Sequence, residues 1–328
     1  MTLSPLLRIE DLSVHYRVGD NVIRALNEVS LKIGKGEVLG VLGESGSGKT
    51  TLANAILKMV PPNAEVPSGK VFFDGRNLMD TPDHEMDEIR GKGISMIPQN
   101  ALDALSPVHK VRYQLINVLR AHERISNEDA LKRIKEKLTM AGLGEGILDR
   151  YFFELSGGMK ERVLIAMSLL CNPKLVIADE PTTGLDVVLQ RKILKEIKTL
   201  QRKIGFSMLF ISHDVSVIAY ESDKLAVLYG GKLLEYGDLL SVLRRPANPY
   251  TALLLQSYTD LRRPRGSLIE IKGYPPNPMN LPEGCVFHPR CPYATELCKK
   301  EEPPLINIGD GHLTRCYYSE RVKEMWSS

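Results

Sequence analysis

The string GESGSGKT, residues 43–50, constrains this chain more than any other segment. It fits G-x-x-x-x-G-K-[ST] and lies between the apolar run EVLGVL and the helix-like TLANAILKM. A strand that feeds a helix through a glycine-rich turn leaves amide N–H groups at the helix N-terminus unpaired and aimed at one point, which suits an anion. Gly43, Gly46 and Gly48 allow the backbone close to phosphate oxygens; Glu44, Ser45 and Ser47 complete the turn, and Thr51 follows it in the helix. Lys49 is spaced to reach β- and γ-phosphates, and Thr50 to offer a hydroxyl to Mg²⁺.

A second string, KLVIADEPTTGLD at 174–186, ends a continuous apolar run in Asp179 and Glu180. An acid at the C-terminal edge of a buried strand suits Mg²⁺, and the glutamate beside it suits a general base that polarises water. KLVIAD and SMLFIS read as buried strands with the helical pattern VVLQRKILKEIKTLQRK between them, an order that implies an α/β fold with a parallel sheet. Residues 1–95 read as short strands and turns, and 112–143 and 157–170 as helical. In ELSGGMKER, Ser156, Gly157 and Gly158 open the second of these helices with unpaired N–H groups.

Formal net charge is only +3 over 328 residues, which gives no argument for nucleic acid. No run of eighteen apolar residues occurs, and the N-terminal text has an acidic pair where a signal peptide needs an apolar stretch. We therefore expect a chain that acts at a membrane only through partners. From Pro246 onward lie eleven of the 20 prolines and four of the five cysteines, so 246–328 reads as a small module, poor in core and in need of a staple.

GESGSGKT, LSGGM and LVIADEPTTGLD, in that order, resemble the ATP-binding subunits of ABC transporters along residues 6–245. The resemblance implies a P-loop ABC ATPase fold, with a RecA-like core, an antiparallel β subdomain and a helical subdomain at about 100–172, over residues 1–245. It implies further roles. Tyr16 would stack on adenine. Gln99, in ISMIPQ, would join nucleotide, Mg²⁺ and the transmembrane subunits. Asp186 would form the D-loop, and His213, in ISHD, would hold the γ-phosphate. Lys49, Glu180 and His213 would be catalytic, with Thr50, Gln99 and Asp179 around Mg²⁺. Two such subunits would pack head to tail, with Ser156–Gly158 of one against the phosphate loop of the other.

NPYTALLLQS at 248–257 and KGYPPNPMNLPEGCVFHPRCPYATELC at 272–298 resemble the C-terminal region of oligopeptide/dipeptide importer ATPases. That implies peptide or similar solutes as cargo, two transmembrane permease subunits, a second, non-identical ATPase and an external solute-binding protein. It places the chain at the cytoplasmic face of the cell membrane.

The cysteine spacing, Cys285-x5-Cys291-x6-Cys298-x17-Cys316, does not name a metal. Disulfides conflict with cytosolic ATP, zinc knuckles favour C-x2–4-C, and the spacing departs from ferredoxin runs. Four soft thiolates in a core-poor segment still point to a metal staple. The resemblance implies a [4Fe–4S] cluster on Cys285, Cys291, Cys298 and Cys316. His288 and His312 could substitute as ligands but read rather as surface residues, and Cys171 as a small buried hydrophobe.

Overall fold

The computed structural model describes residues 4–99, 105–257 and 271–327. The chain forms two compact units, one of residues 1–33, 38–79 and 211–328, the other of 34–37 and 80–210.

In the first unit β1 (Leu7–Val18) and β2 (Asn21–Ile33) form a hairpin, and β4 (Ala64–Phe73) and β5 (Arg76–Asn77) extend it in the order β2-β1-β4-β5, all antiparallel. The turn from β4 to β5 is Asp74-Gly75 with both φ values positive, at 48° and 86°. Asp-Gly tolerates that handedness, and the twist of such a turn matches the strands it joins. β3 (Val38–Leu42) is buried at all five positions and runs parallel to β9 (Lys224–Tyr229). It needs no polar alternation, since it is covered on both faces. β3 leads into α1 (Lys49–Ile56). β10 (Lys232–Asp238) returns antiparallel to β9 through Gly230 and Gly231, at φ 54° and 77°. α7 (Val215–Glu221) precedes β9, and α8 (Leu239–Arg244) and α9 (Pro249–Ser257) follow β10.

The tail is built onto this framework. β12 (Leu313–Thr314) pairs with β10, and β11 (Ile306–Asn307) pairs with β12; α10 (Glu296–Lys300) and α11 (Ser319–Ser327) flank them. Glu235 of β10 is 0 % exposed. Its carboxylate accepts the N–H groups of Ala247 (2.7 Å) and Asn248 (3.1 Å), and His312 Nε2 lies 2.7 Å from it. His312 is therefore buried, not the surface residue expected; its ring is a structural partner of Glu235. Asn248 donates onward to the carbonyl of Arg315 at 3.1 Å, and Arg315 and Lys232 share Glu302. Residues 246–328, expected as a module of their own, share their buried polar network with β10.

In the second unit β6 (Ile94–Ile97) and β7 (Leu175–Asp179) pair in parallel. α2 (Asp83–Ile89) precedes β6. The helical span 112–143 is two helices, α3 (Val111–His122) and α4 (Asn127–Met140). Ser126 breaks it, because its hydroxyl accepts the Asp129 N–H at 3.1 Å and caps α4. Leu115, Leu119, Ile134 and Leu138 are fully buried with Val163 and Leu164 of α5 (Gly157–Ser168), and Cys171 packs against this cluster half-buried. α6 (Val187–Ile204) leads to β8 (Ser207–Ser212), along which the chain passes back to the first unit.

α5 also buries an acid. Glu161 is 4 % exposed, and burial pushes its carboxyl up to about 7.

Two outcomes follow from these buried acids. Glu235→Ala leaves backbone N–H groups buried without an acceptor and should cost on the order of 3 kcal/mol; a denaturant titration reads it, with the Glu235-bound tail becoming the first protease-cleaved segment. Glu161 has a folded pKa above its ordinary value of 4.5, so its contribution to stability is full below about 4.5 and is lost as pH rises through about 7. Melting temperatures at pH 5 and pH 8 should therefore differ less in Glu161→Gln than in the wild type.

Candidate functional site

In the first unit the chain leaves β3 at Leu42 and turns through residues 43–48 into α1. Gly43 has no room for a side chain, since a Cβ there would lie 2.3 Å from the Leu228 carbonyl oxygen. Gly48 combines φ 102° with a Cβ position 2.5 Å from the Ala25 carbonyl oxygen. Gly48 is also the N-cap of α1 and brings no capping side chain, so no cap side chain covers the start of the helix. Lys49 is buried, and its ammonium donates to the carbonyls of Gly43 (2.8 Å) and Glu44 (3.0 Å). Its charge is thus stored inside the turn. Ser47 Oγ is buried without a hydrogen-bond partner among the described residues. Thr50 is exposed in the first turn of α1. Tyr16, on β1, meets Thr51 through their hydroxyls at 3.2 Å, which brings its ring to the start of the same helix. His213 is exposed between β8 and α7, and Asp214 caps α7 through the N–H groups of Ser216 and Val217.

In the second unit β7 ends in Asp179, which is 1 % exposed. Glu180 follows at φ 48°, in the left-handed region that non-glycine residues rarely occupy. That turn directs its carboxylate away from the strand, where Oε2 accepts from Gln99 Nε2 (3.3 Å) and Thr183 Oγ1 (3.0 Å). Gln99 and Glu180 lie 81 residues apart in sequence and meet here. Backbone strain at a half-buried acid motivates a functional reading of the position.

Ser156 occupies the N-cap of α5 yet makes no capping bond. Ser156 and Gly157 are exposed, so the N-terminal amides of α5 stay available to an anion. Gly158 is required by packing, because a Cβ there would meet Leu189 Cδ1 of α6 at 2.7 Å. Asp186 caps α6 by accepting the N–H groups of Val188 and Leu189, both at 3.0 Å. This capping role was not among the expectations, although an acid directly before an apolar helical run is its usual signal.

Cys285, Cys291, Cys298 and Cys316 line one cavity, with Phe287, Tyr293 and Tyr318. All are free thiols. Cys285 N–H bonds the Cys298 carbonyl at 2.8 Å, and Gly284 fits there because a Cβ would lie 2.5 Å from that same oxygen. Burial raises the Cys285 thiol, and pushes Cys291 up to about 11 and Cys316 up to about 12. His288 Nδ1 lies 3.0 Å from the Cys285 carbonyl, within the same segment. Among the described residues no three His, Cys, Asp or Glu side chains close around a single ion.

No described helix is long and apolar enough to cross a membrane.

Known proteins match along nearly the whole length. Residues 26–183 match the ABC transporter family and residues 234–298 the oligopeptide/dipeptide transporter C-terminal region. The dipeptide transport ATP-binding protein DppD of Caldanaerobacter subterraneus subsp. tengcongensis is 40% identical, over 97% of this chain and 98% of that protein. The oligopeptide transport ATP-binding protein OppD of Escherichia coli is 38% identical, over 95% and 93%. Among solved structures, the ATP-binding cassette MJ0796, a dimer in a post-hydrolysis state bound to ADP and Pi, aligns with a TM-score of 0.64 and 29% identity over 71% of this chain and 98% of its own. The phosphate loop, the Glu180 turn and the open start of α5 therefore sit in a P-loop ABC ATPase fold, and the chain belongs to the ABC transporter ATPases that carry the oligopeptide/dipeptide transporter C-terminal region.

Proposed function

We propose that this chain is the ATP-hydrolysing subunit of a membrane importer for di- or oligopeptides or similar solutes. The observation that carries the reading is the likeness over nearly the whole chain to a dipeptide transport ATP-binding protein; the phosphate loop at the start of α1 in the first unit, and Glu180 turned out of β7 beside Gln99 in the second, support it. Tyr16 stacks on the adenine, Gly43–Gly48 and Thr51 cradle the phosphates, and Lys49 moves from the Gly43 and Glu44 carbonyls onto the β- and γ-phosphates. Thr50, Gln99 and Asp179 would each offer an oxygen donor, the type that suits a hard cation such as Mg²⁺. Magnesium, when bound, neutralises charge on the phosphates. Glu180 polarises the attacking water, and His213 holds the γ-phosphate against it.

Ser156, Gly157 and Gly158 meet the phosphate loop of a second ATPase subunit, a non-identical sister chain, and Asp186 lies at that junction. ATP then joins the two subunits, and loss of the γ-phosphate releases them. Gln99 reports this change to two transmembrane permease subunits, and an external solute-binding protein delivers the cargo. The chain works at the cytoplasmic face of the cell membrane and takes no nucleic acid.

The four tail cysteines belong, in this reading, to a [4Fe–4S] cluster. Their convergence on one cavity supports it, and four soft thiolates are the donor type such a cluster takes. Cys285, Cys291, Cys298 and Cys316 would hold it, and when bound it supplies a cross-link to a segment otherwise tied down by few apolar side chains.

Three measurements test these assignments. Glu180→Gln should retain ATP binding and lose turnover by about 10²–10⁴-fold; phosphate release near the wild-type rate would refute the base. Cys298→Ser should copurify without iron and acid-labile sulfide and lose order in the tail while still binding nucleotide. Vesicles holding the complete transporter should take up peptide only with ATP and the external binding protein present.

A further inference from the structure

The tail reaches the phosphate loop itself. Arg290 lies between Cys285 and Cys291, in the short 3₁₀ turn His288–Arg290, and its side chain is 7 % exposed. Its guanidinium donates to Glu44 Oε2 at 2.7 Å and to the Tyr229 hydroxyl at 3.2 Å, and it is held from behind by the carbonyls of Lys272 (3.1 Å) and Ile271 (3.3 Å). Glu44 is the second residue of the phosphate loop, and its N–H, its carbonyl and one carboxylate oxygen are all engaged. Its N–H donates to the Tyr250 hydroxyl at 3.1 Å, and its carbonyl accepts from Ser47 N–H (3.2 Å) and from Lys49 Nζ (3.0 Å).

A second set of contacts reinforces the first. Tyr229, Tyr250 and the tail's Phe287 pack as three rings with centroids 4.5–5.2 Å apart. Gly231 N–H bonds the Ser47 carbonyl at 3.2 Å, and its neighbour Gly230 is covered so closely by the tail that a Cβ would lie 2.6 Å from Val286. The turn between β9 and β10 is thus gripped by the tail on one side and bonded to the phosphate loop on the other.

We propose that Arg290 is a positioning residue of the ATP site, through which the C-terminal tail sets the affinity of the phosphate loop for ATP. The inference rests on reading residues 43–50 as the phosphate loop. A buried, multiply held guanidinium fixes the Glu44 peptide, and that peptide in turn sets where the Lys49 ammonium is stored and how the following amides face. Without it the loop must be ordered by the nucleotide, so binding weakens. The loss falls equally on ground and transition states, which raises KM and leaves kcat in place.

The test uses the full chain, with ATP titrated by calorimetry and turnover by phosphate release. Arg290→Ala should weaken ATP binding and raise KM about tenfold with kcat changed less than about twofold. Arg290→Lys should recover part of the loss. Glu44→Gln leaves the tail untouched, and the double variant Glu44→Gln with Arg290→Ala should be no weaker than the worse single variant, because the two side chains act as a unit. That cycle also decides the matter through Arg290→Gln if Arg290→Ala does not fold. Wild-type ATP affinity in the arginine variants, a loss confined to kcat, or additive losses in the double variant would each overturn the proposal. Lys49→Ala serves as the reference: if it binds ATP like the wild type, the phosphate-loop assignment falls and the proposal with it. If Lys49→Ala loses ATP while the arginine variants do not, only the role of Arg290 falls.

Discussion

A phosphate loop must keep its amides unpaired and pointed outward while its backbone is held still, and most of the first unit answers that demand. Two of its N–H groups are spent on support, that of Glu44 on the Tyr250 hydroxyl and that of Ser47 on the Glu44 carbonyl, and its carbonyls and its one acidic side chain carry the rest. Gly43 is wedged against the Leu228 carbonyl, the Glu44 and Gly43 carbonyls hold the Lys49 ammonium, and the Ser47 carbonyl is bonded to the β9–β10 turn.

The tail takes part in that support because it is stitched to the strand next door. Glu235 lies midway along β10, fully buried and triply bonded, and joins the strand to residues 247–248 and to His312. A buried carboxylate needs such partners, and removing any of them strands charge or dipole in an apolar setting. The same strand leads back through Gly231 to the loop. The tail is therefore anchored to β10 through Glu235 and reaches the loop at residues 43–48 through Arg290.

Much of the fold is legible along the chain. The strands at 38–42, 175–179 and 207–212 are continuous apolar runs, and α6 follows its apolar spacing to within a residue. The glycines of the phosphate loop and the Ser-Gly-Gly helix start announce local backbone shapes that few other residues permit. Where reading failed, the cause was distance or competition. The break between α3 and α4 lies inside a run whose apolar periodicity continues on both sides, and only the Ser126 cap marks it. His312 looked like a surface residue because its partner, Glu235, stands 77 residues away.

By itself the sequence determined the phosphate loop, the acid pair Asp179–Glu180, the open start of α5 and the clustering of cysteines. These depend on spacing within a few residues and on local backbone freedom. Tertiary structure decided the rest: that Glu180 is turned toward Gln99, that Asp186 serves as a helix cap, and that a tail poor in apolar residues borrows its core from β9, β10 and α9. Arg290 and Glu44 stand 246 residues apart. Nothing local in either residue points to the other, because their pairing is created only when Tyr229, Tyr250 and Phe287 exclude water around it.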